Sequence, residues 1–196
     1  MTAHVTSELI EELNRTCGQK GTNNAGSSEK RNKDDGARYQ RNVSKHMTKT
    51  NDVAEAIIME RTLDAPVAKV WKALTDVDQM REWYFDLKEF KPEIGFEFDF
   101  VVEHEGNTYH HLCKVTEVIP QKKIGYTWRY KGEPGNSLVT FELFPEGNKT
   151  RLKLTHTGIE TFPKTPAYAR KNFEAGWTAI IGSELKQFVE SLKAKP

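Results

Sequence analysis

Apolar and polar positions alternate with two different periods along this chain, and the changes of period divide it into elements. Residues 57–63 alternate every second position, which predicts a strand. Val67, Val70 and Leu74 then recur at helical spacing, so a helix is expected, capped by Asp64 and with Pro66 in its first turn. After the break at residues 75–76, a second short apolar stripe predicts another helix.

Five further alternating segments follow, and each is separated from the next by a turn rich in Gly, Asn or Pro. Alternation at every second position is typical of strands with one buried and one exposed face, and short turns join antiparallel neighbours. These segments predict a meander of five strands. Their apolar faces contain Phe96, Phe98 and Phe100; Tyr109, His111, Cys113 and Val115; Tyr126, Trp128 and Tyr130; Val139, Phe141 and Leu143; and Leu152, Leu154 and His156.

The chain ends in a long helical pattern from about Thr165 to Leu192. Its apolar positions recur at steps of three and four residues, so one face is expected to cover the apolar side of the sheet. A curved sheet around a helix can leave an apolar hollow, where small ligands commonly bind. Gly176 beside Trp177 is expected to allow close approach of another backbone.

Composition divides the 196 residues into two unequal parts. Residues 1–46 contain few large apolar side chains and are expected to be a disordered leader, an alternative start or an added extension. Residues 47–196 are rich in aromatic and aliphatic residues and are expected to form one domain. Cys17 and Cys113 lack metal or redox spacing, which indicates free thiols and a cytoplasmic location.

Charge and motifs exclude several classes of function. Residues 47–196 carry 21 basic and 22 acidic side chains without a basic stripe, so a nucleic-acid partner is not expected. The longest apolar runs are too short to span a membrane. Phosphate-binding and dinucleotide-binding glycine patterns and the nucleophile elbow are missing from the sequence, so no cofactor is expected.

Six segments in order resemble one family. They are RTLDAPVAKVWKALTD, REWYF, EIGFEFDF, KVTEVIPQKKIGYTW, VTFELFPEGNKTRLKLTHTG and FEAGWTAIIGSELKQFVES. Within the START/Bet v 1-like (SRPBCC) superfamily, they are similar to proteins related to the C-terminal domain of the activator of the heat shock protein 90 ATPase. The resemblance covers residues 54–193.

The resemblance implies an α+β helix-grip fold. In this fold a curved antiparallel sheet of about seven strands wraps around a long C-terminal helix, and two short helices lie between the first and second strands. The segment at 57–63 would be an edge strand, and a seventh strand would come from splitting one of the others. An interior cavity is implied, but no single activity.

The candidate binding residues are those expected to face this cavity. His111 and His156 lie on the apolar side of their strands, where a histidine can hold a polar ligand group or serve structurally. Catalysis by Cys113 is not expected, because a buried cysteine usually acts as a small hydrophobe, and no spacing of ligands supports a metal site. The expected ligand-binding set is Trp83, Phe96, Phe98, His111, Cys113, Trp128, Phe141, His156 and Trp177.

Three functions are compatible with these residues and with the implied fold. The first is non-catalytic binding of a hydrophobic or amphipathic small molecule in the cavity. The second is an interaction module that acts on a chaperone or another protein through its outer surface. The third is an enzyme of the cyclase or hydrolase kind that uses His111 or His156 as acid or base. The ligand-binding function is the principal expectation.

Overall fold

A computed structural model describes residues 55–104 and 106–192. The first strand, β1 (Ile57–Leu63), is followed by the helices α1 (Val67–Thr75) and α2 (Val77–Trp83). Five strands follow: β2 (Glu97–His104), β3 (Asn107–Ile119), β4 (Lys123–Tyr130), β5 (Ser137–Glu146) and β6 (Lys149–Thr157). The α+β class and the order of elements are those expected from the sequence. The expectation for residues 1–46 lies outside the described residues.

The six strands form one antiparallel sheet in the order β1-β6-β5-β4-β3-β2. Strands β2 to β6 are consecutive neighbours, so the predicted meander is confirmed, and β1 joins its far edge by pairing with β6. The expected seventh strand is not found within the part of the chain that the structure describes. The longest described strand, β3, continues through 13 residues with a register shift between Val115 and Glu117 in place of a break.

The start of α1 differs from the expected one. Pro66, not Asp64, occupies the N-cap position, and no side chain caps this end. The backbone N–H of Asp64 instead donates to Oε1 of Glu190 over 3.0 Å, which ties this loop to the end of the C-terminal helix. Helix α2 is capped by a side chain, since Oδ1 of Asp76 accepts a hydrogen bond from the N–H of Gln79.

The C-terminal helical region begins later than the sequence suggested. Pro166–Tyr168 form a short 3-10 turn, and the helix proper comprises α3 (Arg170–Ala179), a π-helical turn (Ile180–Glu184) and α4 (Leu185–Ser191). The Arg170 guanidinium donates to the carbonyls of Glu55 and Ala56, which anchors the helix start beside β1. The buried face of this region includes Phe173, Trp177, Ile180, Ile181, Leu185 and Val189.

Gly176 does not mark a close approach, because a Cβ added there would meet no atom within 4 Å. The tight position is Gly182 in the π-helical turn, where a Cβ would lie 3.3 Å from Nε of Arg61 on β1. The helix therefore packs closely on the edge strand at its π-helical turn.

Candidate functional site

Eight of the nine predicted ligand-binding residues are buried in the core between sheet and helix. Trp83, Phe98, His111, Cys113, Trp128, Phe141, His156 and Trp177 are each at most 5% exposed. Phe96 is half-buried and precedes β2 instead of lying within it. The structure thus brings the set into one hydrophobic core, with Phe96 packed against its edge.

His156 is the centre of a hydrogen-bond network that joins the sheet to the helix. Its Nδ1 accepts a hydrogen bond of 3.0 Å from Nε1 of Trp177, because an indole nitrogen can only donate. Its Nε2 lies 2.7 Å from Oγ of Ser137, whose own proton is donated to the carbonyl of Trp128. Nε2 must therefore carry the imidazole proton and donate it to Ser137.

This network leaves His156 no free lone pair. Burial lowers the pKa of His156 to about 3, so the ring is neutral at physiological pH. Both ring nitrogens are already engaged, and a group that exchanges protons with a substrate needs one of them free. The geometry therefore favours a structural role for His156 over acid–base chemistry.

His111 and Trp128 form the second polar feature of the interior. Their rings are 4.8 Å apart in an edge-to-face arrangement, and each residue is 5% exposed. Nδ1 of His111 and Nε1 of Trp128 are buried without a hydrogen-bond partner among the described residues. Two other such atoms, Nδ1 of His104 and Oε1 of Gln79, lie at the end of β2 and on α2. The pair therefore leaves unused hydrogen-bonding capacity inside an aromatic core.

Aromatic rings surround this pair. Phe100 stacks on His111 at 4.4 Å, Tyr130 lies 4.7 Å from the same ring, and Trp177 lies 5.4 Å from Trp128. Burial lowers the pKa of His111 to about 3, against a smaller opposite contribution from hydrogen bonding of the ring with the backbone of Tyr109 and Phe100. The ring of His111 is therefore also neutral at physiological pH.

Tyr130 connects the interior pair to the surface. Its ring lies 4.9 Å from Tyr168 and 6.1 Å from Tyr109. These three tyrosines line a groove of about 320 Å³ that also includes Lys131, Glu133 and Ala167. A neighbouring groove of about 340 Å³ lies across the same loop and is lined by Phe162, Lys164 and Arg170. Both grooves lie at the end of the sheet where the loop after β6 crosses it.

Cys113 is an apolar member of the core. It pairs with Phe98 on one side and Trp128 on the other in the sheet register. Burial raises the pKa of its thiol, so the nucleophilic thiolate is disfavoured. Among residues 55–104 and 106–192, no three side chains of His, Cys, Asp or Glu are grouped so that they could hold a metal ion.

Trp83 serves a different part of the core. Its Nε1 donates to the carbonyl of Ala73 over 3.0 Å, which joins α2 to α1. It neighbours Tyr84, whose hydroxyl lies 2.9 Å from that of Tyr126 in a buried pair. The polar atoms of Trp83 are thus satisfied at the helical end of the fold.

The expected ligand-binding set omitted several residues of this arrangement, among them Ser137 and Phe85. Ser137 lies two positions before Val139 on the inward parity of β5, but its role depends on the cross-strand register that places it near His156. Phe85, just after α2, stacks on Phe100 at 4.2 Å and lies 6.4 Å from Trp128. No periodic pattern marks Phe85, because it lies in an irregular segment.

Comparison of this sequence with models of known protein families gives one match that covers most of the described residues. The model described as Activator of Hsp90 ATPase homolog 1-like protein matches residues 64–190. The chain belongs to this family. The resemblance drawn from the sequence is thereby confirmed, and at this level family and fold support a role in binding a small molecule or a protein.

Solved structures show the same fold. Protein CV1439 from Chromobacterium violaceum is 24% identical with a TM-score of 0.59, over 69% of this chain and 96% of its own. MLL2253 from Mesorhizobium loti is 28% identical with a TM-score of 0.57, over 72% of this chain and 100% of its own.

A third similar structure is protein BH1534 from Bacillus halodurans, which is 26% identical with a TM-score of 0.55. The match covers 69% of this chain and 96% of that protein. A search of curated proteins gave no match. Within the described residues, no helix is both long and apolar enough to cross a membrane.

Proposed function

We propose that this protein binds an apolar or amphipathic small molecule between the inner face of the sheet and α3, without covalent chemistry. The observation that carries the proposal is the neighbouring buried pair His111 and Trp128, in which Nδ1 of His111 and Nε1 of Trp128 lack a hydrogen-bond partner among the described residues. An unpaired buried polar atom costs about 1–3 kcal/mol, and native cores rarely retain two side by side. A ligand group that supplies the missing hydrogen bonds would remove this cost.

The surroundings of the pair suit an apolar ligand. Aromatic rings dominate the inner face, and rings can slide or rotate to admit a flat molecule while keeping favourable edge-to-face contacts. Phe85 is half-buried and belongs to an irregular segment, so it can move with less cost than a residue of a strand. We place the binding site beneath Phe85, against His111 and Trp128.

The groove of Tyr109, Tyr130 and Tyr168 supplies a route to this site. Tyr130 borders the groove and also lies 4.7 Å from His111, so a molecule in the groove is one ring away from the pair. The loop over the groove consists of short 3-10 turns and irregular backbone, elements that open more readily than strands. Access through this end keeps the sheet intact.

Titration with a neutral apolar dye such as Nile red tests the proposal. Trp128 borders the proposed site and Trp177 lies 5.4 Å from Trp128, so binding should change tryptophan emission saturably. The expected dissociation constant is about micromolar, which corresponds to roughly −8 kcal/mol. Filling the interior with Val139→Phe should weaken dye binding at least about tenfold, since Val139 is fully buried opposite His156.

The matched control is Val101→Phe, which adds the same bulk at a position 54% exposed on β2. It should leave dye binding unchanged. If the wild-type protein shows no saturable change with the dye, the proposal is wrong, and binding of a chaperone or other protein through the outer surface takes its place.

A further inference from the structure

We infer that the interior site selects aromatic ligands with an uncharged hydroxyl group and discriminates against carboxylates. This inference rests on the proposed function and adds the chemical class of the ligand. It follows from what the His111 and Trp128 nitrogens can donate or accept, and from which charges are present around them.

The hydrogen-bonding capacity of the pair matches a hydroxyl. Nε1 of Trp128 can only donate, so the ligand atom facing it must accept. Nδ1 of His111 accepts in one neutral tautomer and donates in the other. A hydroxyl has one proton and two lone pairs, so it satisfies both nitrogens in either tautomer. A carboxylate can only accept, and it leaves Nδ1 unpaired in one of them.

The hydroxyl of Tyr130 is a further neutral group that favours a ligand hydroxyl over a carboxylate. Burial raises the pKa of Tyr130, and the Trp128 side chain acts in the opposite direction. The indole N–H is thus near this hydroxyl, although the contact does not meet the geometry of a hydrogen bond. A ligand hydroxyl placed between them would have a neutral phenol and a neutral imidazole as neighbours.

The interior has no charge to pair with a carboxylate. The buried polar residues of the described chain are His111, Ser137, Thr150 and His156, so neither lysine nor arginine is among them. Both histidines stay neutral at physiological pH. Burying an unpaired carboxylate costs several kcal/mol, and this cost opposes the binding of carboxylate ligands.

The inward cation of the edge strand is too far across the sheet to change this. Arg61 lies on β1 beside Gly182. Strands β6, β5 and β4 lie between β1 and β3, which holds His111. With neighbouring strands about 4.8 Å apart, the separation measured along the sheet approaches 20 Å.

The ligand skeleton is expected to be aromatic and flat. Phe85, Phe100, Tyr130 and Trp177 present rings around the pair at centroid distances between 4.2 and 6.4 Å from their neighbours. Offset-stacked and edge-to-face contacts of this kind favour another ring over an alkyl chain. A two-ring phenol therefore suits both the walls and the polar pair.

Displacement of Nile red by three matched probes tests the inference at pH 7.5. Naphthalene supplies the ring skeleton alone, 2-naphthol adds a hydroxyl, and 2-naphthoate adds a carboxylate. We expect 2-naphthol to bind about three- to tenfold more tightly than naphthalene, the gain of one net hydrogen bond. 2-Naphthoate should bind at least tenfold more weakly than 2-naphthol.

Two variants locate the selectivity. Trp128→Phe and His111→Phe each remove one of the two unpaired nitrogens and keep an aromatic ring, so each should reduce the preference for 2-naphthol over naphthalene. Trp71→Phe, on the half-buried face of α1, is the matched control and should preserve the difference. If a variant does not fold, the three probes on the wild-type protein still decide.

The outcomes separate this inference from the proposed function. Equal affinities for naphthalene and 2-naphthol, or a 2-naphthoate affinity equal to that of 2-naphthol, would overturn the selectivity while dye binding upholds the site. A lack of saturable dye binding would overturn both.

Discussion

The indole nitrogen of Trp177 donates to Nδ1 of His156 over 3.0 Å, and this bond joins α3 to β6 across the core. The bond orients the imidazole so that its Nε2–H meets Ser137. Because Ser137 then donates to the carbonyl of Trp128, one network fixes the helix and three strands, β4, β5 and β6, in one register. Each member is buried, so the network is strong only while it is complete.

Removing the donor should be costly even when the ring is kept. Trp177→Phe leaves Nδ1 of His156 buried without a partner, and we expect a loss of about 1–3 kcal/mol in the free energy of unfolding. Trp177→Ala also deletes a large buried ring and should cost roughly 3–5 kcal/mol. Urea denaturation measures both. A cost below about 1 kcal/mol for the alanine variant would contradict the packing of α3 on the sheet.

The prediction about the N-terminal segment remains open to experiment. Residues 1–46 are poor in large apolar side chains, so their removal should not expose a core. We expect a chain that begins at Met47 to unfold cooperatively with a melting temperature within a few degrees of the full chain. Loss of cooperative unfolding on truncation, measured by circular dichroism, would show that this segment contributes to the domain.

Much of the fold follows from local pattern. The strands β1 to β6 follow the alternation of apolar and polar residues, and the helices α1 and α2 follow apolar residues at helical spacing. Both patterns reflect which side chains face the core. Two details depended on longer-range contacts. Asp64 is a good N-cap residue by type, but the Glu190 carboxylate binds its N–H. The register shift near Val115 stands in place of the expected division of a strand, and the alternation of apolar and polar residues does not reveal it.

The candidate site was predictable only in part. The alternation of side chains along a strand predicts that His111 and His156 face the core, and both are buried. The sequence could not predict which of the two histidines has both ring nitrogens hydrogen-bonded. The partners of His156, Ser137 and Trp177, are brought to it by the register of the sheet and by the position of the helix. The hydrogen bond of the Trp83 indole was equally unpredictable, because its acceptor, the carbonyl of Ala73, is placed by the packing of α1 against α2.

Stability should depend on pH through the two buried histidines. Burial lowers the pKa of His111 and of His156 from 6.5 to about 3, so the folded protein binds fewer protons than the unfolded chain between these values. The free energy of unfolding should therefore fall as the pH decreases from about 6.5 towards 3. Each histidine contributes a slope of about 1.4 kcal/mol per pH unit, and above about pH 7 neither contributes.

Denaturation with urea at pH 4.5 to 8.5 checks this dependence. The range from pH 7.5 to 8.5 serves as an internal control, since both histidines are neutral there in the folded and unfolded states. His111→Phe removes one titrating group and should reduce the acid-side slope by about 1.4 kcal/mol per pH unit. An unchanged slope in this variant would mean that His111 is not held neutral by burial.

Gly135 is expected to hold the loop after β4 against the segment that follows β6. Its φ is +108°, and an added Cβ would lie 2.6 Å from Cδ1 of Phe162 and 2.8 Å from the carbonyl oxygen of Thr161. Gly132, in the same loop, also has a positive φ of +83°, but a Cβ there would meet no atom within 4 Å. The two glycines therefore separate backbone strain from steric contact.

Gly132→Ala should cost about 1–2 kcal/mol, the penalty for placing a Cβ in the left-handed region. Gly135→Ala should cost clearly more, because it must also displace Phe162, which is 2% exposed and stacks on Phe173 at 5.7 Å. Urea denaturation of the two variants measures the difference. Equal costs would show that the loop moves away from Phe162 with little loss of free energy. The contact between this loop and Phe162 would then contribute little to stability at this end of the groove.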